Sequence, residues 1–101
     1  MADRLSLQAL LEELLGSRNV YYQPPASRNL SYPAIVYNKA GIDSRKASDS
    51  VYTKSRSYEL VVIDPKPDNP VIDKLLELPY CSFSRHYTSD NLNHDALKLY
   101  Y

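Results

Sequence analysis

His86 and His94 are the chain's two histidines, and both stand near Arg85, Asp90 and Asp95. An imidazole base, a guanidinium for phosphate and a carboxylate are the parts of a small ribonuclease-like enzyme. The spacing, however, matches no metal-binding or nucleophile motif. His94 and Asp95 are also neighbours on what reads as a strand, so their side chains point to opposite faces. Hydrogen-bonded strand and turn residues are the plainer reading, and no catalytic residue is assigned. Asp64, Asp68 and Asp73 form a loose acidic set. A calcium loop needs alternating oxygen ligands, a glycine and a closing glutamate, and this pattern is missing here. Capping of a helix by Asp68 or Asn69 is the ordinary explanation, so neither a metal ligand nor a cofactor is expected. With two glycines in 101 residues, no phosphate-cradling loop is written into the chain. The single Cys81 excludes an internal disulfide and sits in an apolar stretch, where it reads as a small buried hydrophobe.

Two groups of residues carry more weight. Arg45, Lys46, Lys54 and Arg56 flank a polar stretch, either as a solvated loop or as a basic rim that meets a partner's acids or passing phosphates. The second group is the tyrosines: ten, against one Phe and no Trp. A tyrosine buries apolar area but its hydroxyl needs a partner or water. A dry core would use Phe, so this bias points to half-buried protein–protein surfaces. Tyr21, Tyr22, Tyr37, Tyr100 and Tyr101 are the candidate subunit-interface residues. Twelve acids balance twelve bases, so tight general nucleic-acid binding is not expected. No apolar run is long enough for a membrane span, and the start has no signal-peptide pattern.

The elements that must position these residues follow from periodicity. One domain, residues 1–101, is expected from the length. Leu7, Leu10, Leu11, Leu14 and Leu15 share a helical stripe, with Asp3 as a cap and Gly16 as a left-handed stop. Asn19 to Gln23 reads as a short strand ended by Pro24-Pro25, and Ala34 to Lys39 as a second strand. Gly41 to Ser55 has few large apolar residues and reads as a long exposed loop, of a length that usually serves a function. Arg56 to Asp64 is the strongest strand, apolar on both faces in its second half and therefore central. Asn69-Pro70 opens a second helix running to about Leu78, with Val71, Ile72, Leu75 and Leu76 inward. Tyr80 to Tyr87 alternates and reads as a half-buried strand, and after a turn Leu92 to Tyr101 reads as the last strand, with Leu97, Leu99 and Tyr101 on one face. The result is an α+β fold of order α-β-β-β-α-β-β, a mixed sheet of about five strands with both helices on one face. The other face carries Tyr and Val and suits cover by sister subunits.

In that order the segments resemble a specific family. Val20-Tyr21-Tyr22-Gln23-Pro24-Pro25, then Leu30 to Tyr37, Arg56 to Asp64 with Pro67-Asp68, and Leu78 to Asp95 are similar to tail terminator (tail completion) proteins of long-tailed bacteriophages. The resemblance covers nearly the whole chain and is one of general pattern. It implies a structural virion protein of the tail or neck, not an enzyme, assembled in the host bacterial cytoplasm. It implies a homo-oligomeric, hexameric ring that caps the tail tube, stops its growth and offers the surface that joins tail to head. The implied partners are the major tail tube protein and the head–tail connector proteins. Genome DNA would pass through the lumen without sequence-specific binding. A head–tail connector or stopper subunit is the nearest alternative. The segment from Gly41 to Ser55 is the element expected to reach a neighbouring ring or line the lumen.

Overall fold

The computed structural model describes residues 4–25, 29–47 and 50–101; over 42–47 and 50–55 it describes the backbone alone. Seven elements follow one another: α1 (Arg4–Leu15), β1 (Val20–Tyr22), β2 (Ala34–Ala47), β3 (Ser50–Asp64), α2 (Val71–Leu76), β4 (Cys81–Ser89) and β5 (Leu92–Tyr100). The strands form one mixed sheet in the order β1-β2-β3-β5-β4. This is the expected α+β fold, with the apolar strand at the centre. β1 and β2 are parallel, and the β2/β3, β3/β5 and β4/β5 pairs are antiparallel. β3 and β4 therefore run the same way, and β5 slots between them.

Alternation divides the sheet into two faces. On one face, a row of register partners runs Tyr22, Tyr37, Leu60, Leu97 and Phe83 across all five strands. Both helices cover this closed face, and Leu7, Leu11, Val71 and Leu75 join Ile35, Leu60, Leu97 and Leu99 in one core. Each fully buried leucine contributes about 1.5–3 kcal/mol. The leucine stripe of α1 lands as expected, with Leu7 and Leu11 completely buried. Gly16 closes the helix at φ +77°, its N–H donating to the Glu12 carbonyl at 2.9 Å. Asp3, the expected cap, lies outside the described residues. α2 is shorter than expected. Asn69 Oδ1 accepts from Val71 N at 2.9 Å at its start. Leu76, expected inward, is exposed because a six-residue helix buries only one narrow stripe, Val71 and Leu75.

The largest departure concerns Gly41 to Ser55. This stretch is not a loop: β2 continues to Ala47 and β3 begins at Ser50, in antiparallel register from Gly41↔Ser57 to Ala47↔Ser50. β1 pairs only with 35–37 of β2, and β5 only with Ser57–Asp64 of β3. Among the described residues, the distal halves of β2 and β3 therefore pair with each other alone. They form a two-stranded arm about 20 Å long at ~3.3 Å per residue. A bulge at Ala40 marks its base, where the register shifts between Lys39 and Gly41. The molecule measures 51 × 27 × 23 Å.

β4 also departs from expectation. It is an edge strand exposed from Ser82 to Ser89, not half buried, because α2 is too short to shelter it. A register shift between Phe83 and Arg85 turns its second half over. The turn Asp90-Asn91 has positive φ at both residues (53° and 63°), the geometry of a tight two-residue hairpin.

Candidate functional site

Three features carry chemistry: a cationic cavity, an open sheet face and the two histidines. The cavity lies at the base of the arm, on the closed side of the sheet just beyond the helix layer. It has a volume of about 290 Å³ and is lined by Arg4, Tyr22, Lys39, Arg56 and Tyr58. The fold brings these together by simple periodicity. Arg4 and Gln8 share one side of α1 over β2. Lys39 follows Tyr37 by two residues and pairs in register with Tyr58, which Arg56 precedes by two. The Arg4 guanidinium stacks over the Tyr22 ring, 4.5 Å from its centroid, and donates to the Tyr37 hydroxyl at 3.4 Å. Tyr37 in turn donates to Gln8 Oε1 at 2.5 Å. Its ring sits between Tyr22 (4.9 Å) and Tyr58 (6.0 Å). Burial pushes the Tyr37 phenol above its ordinary pKa, and the nearby Arg4 partly opposes that shift.

The open face presents the opposite parity. One row runs Tyr21, Val36, Val61, Ala96 and Arg85, and the next Ala34, Ile63, His94 and Tyr87. The Tyr87 and His94 rings stack at 4.8 Å, and Arg85 lies 5.0 Å from the Tyr87 centroid. Tyr100 lies on the same face beneath Lys98, at 5.1 Å. The face is apolar in the middle and carries aromatic rings at its margins. Tyr21 accepts from Ser31 N at 3.3 Å, which ties the preceding loop to the sheet's β1 side.

The histidines separate. His86 Nδ1 donates to Asp95 Oδ1 at 2.6 Å on the closed side, while His94 stacks on Tyr87 on the open side and donates through Nδ1 to the Leu92 carbonyl at 3.1 Å. The bulge after Phe83 causes this, because it places even-numbered His86 on the face of odd-numbered Asp95. Two imidazoles divided by a sheet cannot act on one substrate atom. Asp64 is a turn organiser: its carboxylate accepts from Lys66 N and Asn69 Nδ2, each at 2.8 Å. Among the described residues no cluster of His, Cys, Asp and Glu is arranged to hold a metal. The Cys81 thiol is half buried, and burial pushes its pKa up.

The candidate interface tyrosines divide. Tyr37 is corrected outright: it is fully buried in the chain's own core, because α1 lies over it and supplies the hydroxyl's partner. Tyr22 and Tyr101 are half buried and pack on that same core, whereas Tyr21 and Tyr100 sit half exposed on the open face. Arg56 joins the cavity; Arg45, Lys46 and Lys54 stand on the arm strands opposite Thr53, Val51 and Ser44, and their side chains lie outside the described residues. Arg4 and Lys39 were missed in the sequence. Counting two residues on from Tyr37 and one helical turn back from Gln8 would have found them. A search against protein-family models finds no match, and neither does a search of curated proteins.

Proposed function

We propose that this chain is a structural subunit that assembles with copies of itself into a ring, of the kind that terminates a phage tail tube and joins it to the head. The arm carries this reading. An isolated two-stranded ribbon is at best marginally stable in water, so a ribbon that leaves its own sheet is best explained by a surface that receives it. The open face supports the same reading. It sets Val36 and Val61 between half-exposed Tyr21 and Tyr100 without a layer of its own helices. Exposed aromatics along the β4 edge add anchors of the type that dominate contacts: Tyr80 (78% exposed, at φ +66°), Phe83 and Tyr87. The separation of His86 from His94 counts against a ribonuclease-like activity.

In this role the subunit binds and does not transform. The arm reaches the adjacent copy in the ring, and the assembled ring occupies the tube's growing face and ends polymerisation. The test is imaging of particles assembled without this chain. Tails of uncontrolled length, or tails unable to join heads, are expected. Tails of normal length attached to heads would overturn the reading.

A further inference from the structure

We infer that the cavity at the base of the arm receives a carboxylate, Asp68 or Asp73, from the turn before α2 and its first residues in a second copy of this chain. This rests on the reading of the chain as a self-assembling subunit and identifies one contact that holds the copies together. The chain has no net charge, yet its charges are divided. Arg4 and the segment from Lys39 to Arg56 hold six bases and two acids, and the remainder holds six bases and ten acids. Copies therefore complement each other when the arm base of one meets the body of the next.

The cavity is built to take an anion. Its described lining holds Arg4, Lys39 and Arg56 and no acid; Arg56 is already engaged, so Arg4 and Lys39 are the cations offered to an incoming anion. Arg4 is oriented by Tyr22 beneath it and Tyr37 beside it, and only one of its five N–H donors is spent on Tyr37. The Tyr22 and Tyr58 rings form apolar walls, which strengthen an ionic contact relative to open water.

The acidic turn stands at the other end of the sheet. Arg56 and Asp64 bound one run of β3, about 26 Å apart at ~3.3 Å per residue. Asn69 bonds back to Asp64, so the turn from Pro67 to Pro70 stays at that far end, and α2, which opens there, carries Asp73 on its exposed side. Asp68 and Asp73 are both exposed there. Opposite ends that match make a head-to-tail contact, and such contacts close into rings when the rotation permits.

Sedimentation of the full chain over a concentration series tests this. Lys39→Glu and Asp73→Lys, both at exposed positions, each weaken self-association by about tenfold or more, while the urea midpoint read at a dilution where every chain is monomeric stays put. An equimolar mixture of the two variants restores it, because each new charge meets its opposite. Charge reversal at the flanking Lys66 or Lys74 should not give that reciprocal rescue. Wild-type-like association of Lys39→Glu, or failure of the mixture to recover, would overturn the contact while leaving assembly through other surfaces intact. So would inorganic phosphate that binds at Arg4 and Lys39 with no effect on association, which marks a site for a soluble anion. A wild-type chain that stays monomeric throughout would overturn the contact as well, and the imaging experiment judges the function separately.

Discussion

The two faces of the sheet use tyrosine in opposite ways. On the closed face Tyr37 and Tyr58 are almost completely buried, and Gln8 and Arg4 satisfy the Tyr37 hydroxyl. On the open face Tyr21, Tyr87 and Tyr100 keep part of each ring in water. An excess of tyrosine over phenylalanine is therefore not in itself the mark of an interface. Buried tyrosine is affordable wherever a neighbouring helix brings a polar partner to the hydroxyl. The tyrosines whose face lacks such a helix, together with Tyr22 in the cavity wall and exposed Tyr80, remain candidates for contact with other subunits.

This contrast can be broken by mutation. The largest effect is expected from Leu97→Ala, which empties a fully buried position on the closed face. It should cost about 2–5 kcal/mol in urea unfolding, whereas Val61→Ala on the open face of the adjacent strand should cost under about 1.5 kcal/mol. Equal costs would mean that the open face is packed as tightly as the core. Tyr37→Phe comes next, at about 1 kcal/mol, because it leaves Gln8 Oε1 without its donor. Its pH dependence has a definite sign. The folded phenol holds its proton above the ordinary value of 10.0, so its contribution is complete below about pH 10 and is lost as pH rises towards the folded pKa. Wild type should therefore lose stability above about pH 10 more steeply than Tyr37→Phe; parallel stability curves would show that the hydroxyl is not desolvated. The smallest effect sharpens a local point. Gly16→Ala meets no neighbouring atom but must adopt φ +77°, and should cost about 1 kcal/mol.

Much of the closed face was legible in the sequence because burial writes itself as periodicity. The leucines of α1, the apolar run from Leu60 to Ile63 and the Asn69-Pro70 helix start each declare a core-facing element. The arm was illegible for the same reason. A two-stranded ribbon has no core side, so residues 41–55 show no apolar alternation and resemble a loop. The bulge after Phe83 was equally hidden, since a strand's alternation predicts one face per parity and a bulge exchanges them. That exchange is what puts His86 beside Asp95. The cavity was half visible: Arg56 stood out among the cations near the arm, while Arg4 and Lys39 acquire meaning only when α1 and β2 are in place.

The claim that the arm exists to meet other copies is tested most directly by shortening it. Residues 43–55 can be replaced by Asn-Gly, which joins the register partners Ile42 and Arg56 through a two-residue turn. Native mass measurement of the two chains side by side should find wild type as a defined multi-subunit ring and the shortened chain as a folded monomer with a cooperative unfolding transition. A shortened chain that assembles as wild type does would contradict the account.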